Sequence, residues 1–182
     1  MTCIVGFSHK GISYLGGDAA GSESNGGNIT SRAYPKVFHK NDFVMGYTTS
    51  FRLGDILEVV CPPPEVKPNT LTLREHLISK WIPPLRDKLK SEGWLEIDKN
   101  REKGGTFIVG YHGELCIIYD DLQVSQVADN YCSVGSGSPY ALGALYVMKD
   151  MKIRPKNRIL NALHAAVYHN AYVREPFTIV ES

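Results

Sequence analysis

The 182-residue sequence predicts an α/β fold, a four-layer αββα sandwich of two mainly antiparallel sheets, as a single domain over residues 1–182. Three observations point there. Runs of β-branched and aromatic residues separated by tight turns fill the beginning and the middle of the chain. Apolar residues with a helical repeat follow each block of strands. The resulting order is strands, helices, strands, helices, strand, and strands joined by turns of a few residues run antiparallel. Two such sheets, each faced by helices, make the sandwich.

Residues 2–7 and 12–18 read as strands separated by a short loop containing Gly11. Residues 21–28 form a polar Gly/Ser/Asn loop. Short strands follow at 29–32, 36–39 and 43–48. A helix over 51–61 sets Leu53, Ile56, Leu57 and Val60 on one stripe and stops at Pro62-Pro63-Pro64. A second helical stretch opens near Thr72 with Leu77, Ile78, Trp81, Ile82, Leu85 and Leu89 on one face, and Pro83-Pro84 predicts a kink or a split into two helices. Residues 88–103 read as a charged, solvated connection. Strands return at 106–111 and 114–119, across a His112-Gly113 turn, and at 131–134. Ser138 as N-cap with Pro139 at the first helical position opens a helix to about residue 148. A further helix spans 155–170 with Ile159, Leu163 and Val167 inward, and residues 177–180 supply a last strand.

Composition narrows the function classes. The formal net charge is +1 and the basic residues form no block, which argues against nucleic acid and anionic membrane as partners. No apolar run is long enough to cross a bilayer, and no charged segment followed by an apolar one opens the chain. Cys3, Cys61, Cys116 and Cys132 have neither CxxC pairing nor zinc spacing, so they read as reduced thiols of a cytoplasmic protein. Gly135-Ser136-Gly137 lacks the third glycine of a dinucleotide fingerprint, with Tyr140 in its place, and no phosphate-binding GxxxxGK[ST] occurs. No cofactor is expected. His112, His164 and His169 find no third ligand at a sensible spacing, so no metal is expected either, and Asp120-Asp121 reads as a turn.

The first hairpin is chemically suggestive. If its loop is the three residues His9-Lys10-Gly11, Ser8 pairs with Ile12 and Thr2 stands opposite Asp18; a two-residue loop pairs Thr2 with Ala19 instead. Methionine before a small residue such as threonine is normally trimmed, which leaves Thr2 a free α-amine with a pKa near ~8. One residue then carries both a hydroxyl nucleophile and the base that activates it. The spacing alone equally suits an ordinary strand end.

Four segments together resemble the proteasome β-subunit and bacterial HslV peptidase family of N-terminal-nucleophile (Ntn) hydrolases. Thr2-Cys3-Ile4-Val5-Gly6 resembles the mature N-terminal strand, and Gly16-Gly17-Asp18 the second strand, whose Asp follows the nucleophile by sixteen residues. Tyr34-Pro35-Lys36-Val37 is similar to the segment bearing the catalytic lysine, and the run from Ser133 to Ala141 to the Gly-Ser-Gly segment before a helix.

The resemblance implies peptide hydrolysis through an acyl-enzyme on Thr2, with Asp18 holding Lys36, Lys36 lowering the pKa of the Thr2 pair, and Ser136 assisting proton movement. It implies an oxyanion donor at the backbone N–H of Thr49, with Ser50 the second match, where the family has a Gly-Gly turn. Asn170 stands where many proteasome β-subunits carry an Asp. It also implies a homo-oligomeric ring fed with protein or peptide substrate by a separate ATP-dependent unfoldase. Two other readings share the fold: a stand-alone amidase acting on a small substrate, and a non-catalytic shell subunit.

Overall fold

Two two-residue turns with positive φ at both positions, Lys10-Gly11 and His112-Gly113, set the registers of the two main sheets. In the computed structural model, which describes residues 1–22, 29–31, 33–66 and 71–182, strand β1 (Ile4–His9) returns as β2 (Ile12–Asp18) through Lys10-Gly11. Both turn residues have positive φ, +51° and +76°, the type I′ geometry whose twist matches paired strands. His9 therefore faces Ile12 and Ile4 faces Gly17. The three-residue loop, with Ser8 opposite Ile12 and Thr2 opposite Asp18, does not form; its two-residue alternative does. The expected loop at 21–28 and strand at 29–32 lie partly outside the described residues; the described part holds a small hairpin, β3 (Ala20–Ser22) with β4 (Ile29–Ser31).

The remaining strands are β5 (Val37–Lys40), β6 (Phe43–Tyr47), β7 (Glu96–Asp98), β8 (Arg101–Lys103), β9 (Phe107–Tyr111), β10 (Glu114–Ile118), β11 (Val124–Gln126), β12 (Tyr131–Val134) and β13 (Phe177–Glu181). One sheet has the order β12-β1-β2-β13 and the other β11-β10-β9-β6-β5, with antiparallel pairing throughout. Side-chain alternation then assigns the layers. Ile4 and Leu15 point between the sheets, where they meet Val37, Val44, Ile108 and Leu115. Cys3, Val5 and Phe7 point the other way, onto helices α4 (Ser138–Met148) and α5 (Pro155–His169). Phe43, Met45 and Tyr47 face the opposite helical layer. Each large apolar side chain so buried contributes about 1.5–3 kcal/mol, and a one-residue slip would turn all of them to the wrong layer. That fixes the register, and with it the αββα order the sequence predicts. On β2, Gly16 lets α5 lie directly on the strand, since a Cβ there would sit 2.2 Å from Ile159 Cγ2.

The second helical layer departs from simple periodicity. α1 (Phe51–Asp55) continues as a π-helical turn over Ile56–Val60, closed by Cys61 N–H donating five residues back to Ile56 O at 2.8 Å. The widened turn rotates Val60 off the expected stripe, to 36% exposure, while Leu53, Ile56 and Leu57 stay buried. α2 (Leu73–His76) starts at Thr72 with a reciprocal cap between Thr72 and Glu75. It widens into a π turn over Leu77–Trp81, then resumes as α3 (Ile82–Ser91) with prolines in its first turn. Pro83 and Pro84 have no N–H to give the preceding turn, and the chain answers with the wider turn, which moves Ile78 to 39% exposure.

Two smaller expectations are corrected, and one strand is added. Residues 88–103 are the end of α3 and a β7–β8 hairpin turning at Lys99-Asn100, fastened to α3 by Arg86–Glu102. The N-cap of α4 is Gly137, not Ser138, because the Ser138 hydroxyl donates instead to Ser133 O at 2.8 Å. β11 is an added edge strand of only three residues, too short to show a period.

Candidate active site

Thr2 lies just before β1 and is buried, as are Asp18 and Lys36. Three chain segments converge there. The end of β2 delivers Asp18, whose carboxylate is satisfied on all sides: Oδ1 accepts Cys3 N–H at 2.9 Å, and Oδ2 accepts Ala20 N–H at 3.1 Å and the Lys36 ammonium at 2.9 Å. The entry to β5 delivers Lys36, anchored by Tyr47 N–H donating to its carbonyl at 3.1 Å. The Lys36 and Asp18 side chains are only 3% and 0% exposed, so the pair is a buried charge pair, which survives only with such complete hydrogen bonding. Burial holds the Lys36 ammonium below its ordinary pKa, with Asp18 opposing.

Lys36 Nζ also donates to the carbonyl oxygen of Met1, at 3.2 Å. That carbonyl belongs to the peptide bond joining Met1 to Thr2. The buried cation therefore touches the bond whose loss would free the Thr2 amine. The chain-terminal amine in this region has a lowered pKa, first through burial and then through the Lys36 charge, against the pull of Asp18.

The loop before α4 grips Thr2 from the other side. Thr2 N–H donates to Ser136 Oγ at 3.3 Å, the Ser136 hydroxyl donates to Thr2 O at 3.4 Å, and Gly137 N–H donates to the same oxygen at 3.2 Å. Gly135 makes this possible: its φ is +94°, and a Cβ there would lie 2.3 Å from Thr2 O. Asn170, at the end of α5, donates from Nδ2 to Ser136 O at 3.0 Å and accepts Tyr172 N–H at 3.0 Å. It steadies the serine segment, and its hydrogen bonds among the described residues go to Ser136 and Tyr172, not to Thr2.

A pocket of about 230 Å³ opens at Thr2, walled by Ala20, Lys36, Tyr47, Thr49 and Phe51. Thr49 has φ +70°, a left-handed conformation in a β-branched residue at the place where the resembling family has glycine. Among the described residues its N–H donates to no acceptor. The six residues expected from sequence thus gather around one pocket and its flank.

Sequence reasoning missed Ala20, Tyr47 and Phe51. The Ala20 contact had a local signal, because an Asp accepting the N–H two residues on is an Asx-turn. Tyr47 and Phe51 had none, since both read equally as core. The thiol next to Thr2 stays protonated, because burial pushes Cys3 up to about 12. His164 pairs with Glu175 at 3.0 Å on the surface and His169 stacks on Tyr140. Among the described residues no three His, Cys, Asp or Glu side chains gather as a metal site.

No protein-family model matches the sequence, and no curated protein matches it. Solved structures do. The chain superposes on Thiobacillus denitrificans BPH, in a complex with epoxomicin, with TM-score 0.81 at 19% identity over 100% of this chain and 98% of that one. Eukaryotic HslV from Trypanosoma brucei gives 0.68 at 16% identity, covering 99% and 98%. An Anbu (Gly-1) mutant from Hyphomicrobium sp. strain MC1 gives 0.69 at 15% identity, covering 100% and 82%. At such identities the likeness is one of architecture. Two antiparallel sheets between helical layers, with Thr2 at the open end of the first hairpin, give this chain the proteasome-like Ntn-hydrolase fold.

Proposed function

We propose that the chain, a single domain over 1–182, is a threonine peptidase that hydrolyses peptide bonds through an acyl-enzyme on Thr2 once Met1 is removed. The observation that carries this reading is the buried Lys36–Asp18 pair with its ammonium 3.2 Å from the Met1–Thr2 carbonyl, beside a pocket that Thr2 lines. Buried, charge-paired groups with shifted pKa values that border a pocket cluster at functional sites.

Removal of Met1 takes away one acceptor of Lys36, leaves Asp18 as the other, and turns the charge toward the Thr2 hydroxyl and amine. The amine takes the hydroxyl proton, with Ser136 Oγ as relay, and the oxygen adds to the substrate carbonyl carbon. Thr49 N–H donates to the resulting oxyanion. Collapse breaks the C–N bond, and the leaving amine carries off the proton held by the Thr2 ammonium. Water, deprotonated by the same amine, then cleaves the ester and restores Thr2.

Assembly and feeding belong to the same proposal. The outer face of α4 leaves Tyr146 and Val147 at 60% and 67% exposure, apolar surface suited to a homo-oligomeric ring. A separate ATP-dependent unfoldase would supply protein substrate, and the free cysteines suit a cytoplasmic setting. No helix among the described residues is long and apolar enough to cross a membrane. The test is hydrolysis of a fluorogenic peptide by wild type and Thr2→Ala: the account expects turnover in the first and none above background in the second. Equal rates would refute it.

A further inference from the structure

Thr49 is held in a conformation its own side chain disfavours. With φ at +70° and Ser50 N–H donating across it to Thr48 O at 2.8 Å, Thr49 is the centre of a positive-φ γ-turn, the rare and strained form. Glycine reaches this geometry freely but visits others as readily. A β-branched residue keeps it only where the surroundings impose it.

Those surroundings form a chain of contacts running in from the surface. Asp120, in the turn after β10, holds two consecutive amides: Oδ1 accepts Gly105 N–H at 2.9 Å, and its carbonyl accepts Gly104 N–H at 2.7 Å. Gly105 has φ +98° and backs onto Thr49, so close that a Cβ would lie 3.3 Å from Thr49 Oγ1. The next residue, Thr106, takes hold of both threonines. Its N–H donates to Thr49 Oγ1 at 3.4 Å, and its carbonyl accepts Thr48 N–H at 3.0 Å and the Thr48 hydroxyl at 2.8 Å. The two hydroxyl oxygens are 3.3 Å apart. The end of the chain of contacts is an N–H without an acceptor, on a residue in the pocket wall.

We propose that the Thr49 hydroxyl and Asp120 are positioning elements: together they lock the γ-turn and so fix the Thr49 N–H where an oxyanion develops. This rests on the threonine-hydrolase reading of the pocket. It explains why a threonine can occupy a glycine-like position there. The side chain that strains the turn also supplies the oxygen that pins it, and a pinned donor loses no rate to reorientation.

The test is steady-state peptide hydrolysis by the full-length assembled protein in two matched pairs of variants. Thr49→Val keeps the shape and loses the acceptor oxygen, and Thr49→Ser restores it. Thr49→Val is expected to lower kcat by roughly 10–100-fold with KM within about twofold, and Thr49→Ser to recover most of the loss. Asp120→Ala is expected to lower kcat several-fold, and Asp120→Asn, whose amide oxygen can still accept Gly105 N–H, to retain it. Wild-type kcat in Thr49→Val, or equal kcat in the two Asp120 variants, overturns the inference. Should Thr49→Val not fold, the Asp120 pair, 15 residues away in sequence from the amide it holds, decides alone. Activity that survives Thr2→Ala overturns the parent reading and this one with it. Activity lost in Thr2→Ala but untouched in Thr49→Val overturns only this one.

Discussion

Lys36 Nζ and Asp18 Oδ2 stand 2.9 Å apart with both side chains almost wholly withdrawn from water. A buried pair of this kind stabilises little by itself, but removing one member strands the other. Lys36→Met should therefore lower stability by about 3–5 kcal/mol and abolish peptide hydrolysis. Lys36→Arg, which keeps the charge, should lose activity with a smaller loss of stability. Denaturant unfolding and the peptide assay on the same samples check both.

The same cation sets a pH dependence. Burial first and the Lys36 charge second hold the Met1 amine below the ordinary 8.0, against the pull of Asp18. The Thr2 amine freed by loss of Met1 should be lowered in the same direction, because Lys36 Nζ already touches the Met1–Thr2 peptide bond. A general base works deprotonated, so activity should be present above that lowered pKa and lost as pH falls through it. The acid limb of the kcat/KM profile is expected below pH 8.0, the ordinary amine value. A limb at or above that value contradicts the placement of the amine beside Lys36.

Much of this was legible in the sequence, for reasons that differ by residue. β2 and β12 appear at the expected positions because their β-branched and aromatic runs are bounded by clear turn residues. The β1–β2 register was open between two loop lengths, because Lys10 occupies a positive-φ position that Asn, Asp or Gly usually signals. As a result Asp18 lies beside Cys3, not opposite Thr2, and reaches the surroundings of Thr2 through Lys36. The π turns at Ile56–Val60 and Leu77–Trp81 were invisible, since a five-residue closure leaves no mark in a 3.6-residue period. The bracing of Thr49 depends on Asp120 and Thr106, distant in sequence and joined only by the fold.

Gly135 should tolerate no side chain. A Cβ would collide with Thr2 O at 2.3 Å in a backbone conformation of φ +94°, so Gly135→Ala should cost about 1–3 kcal/mol and displace Thr2. Thermal melting together with kcat checks this, and a fully active, equally stable variant would contradict it.

Asn170 Nδ2 donates to Ser136 O at 3.0 Å, so the proposed mechanism has the two residues act in sequence, the second holding the first. Ser136→Ala should reduce kcat by about 10–100-fold through loss of a proton relay, with little change in melting temperature. Asn170→Asp replaces the Nδ2 donor facing Ser136 O with an acceptor, and should lower kcat less than Ser136→Ala does. Kinetics of the two variants and of their double mutant distinguish a shared route from independent ones: on the shared route the losses do not add.

The most direct measurement is the mass of the N-terminal peptide from catalytically active protein acid-quenched during turnover of a peptide substrate, so that the acyl group is kept as a label. The account predicts a peptide that begins at Thr2 and carries the added mass. Active protein whose N-terminal peptide still bears Met1, or whose label sits on another residue, would contradict it.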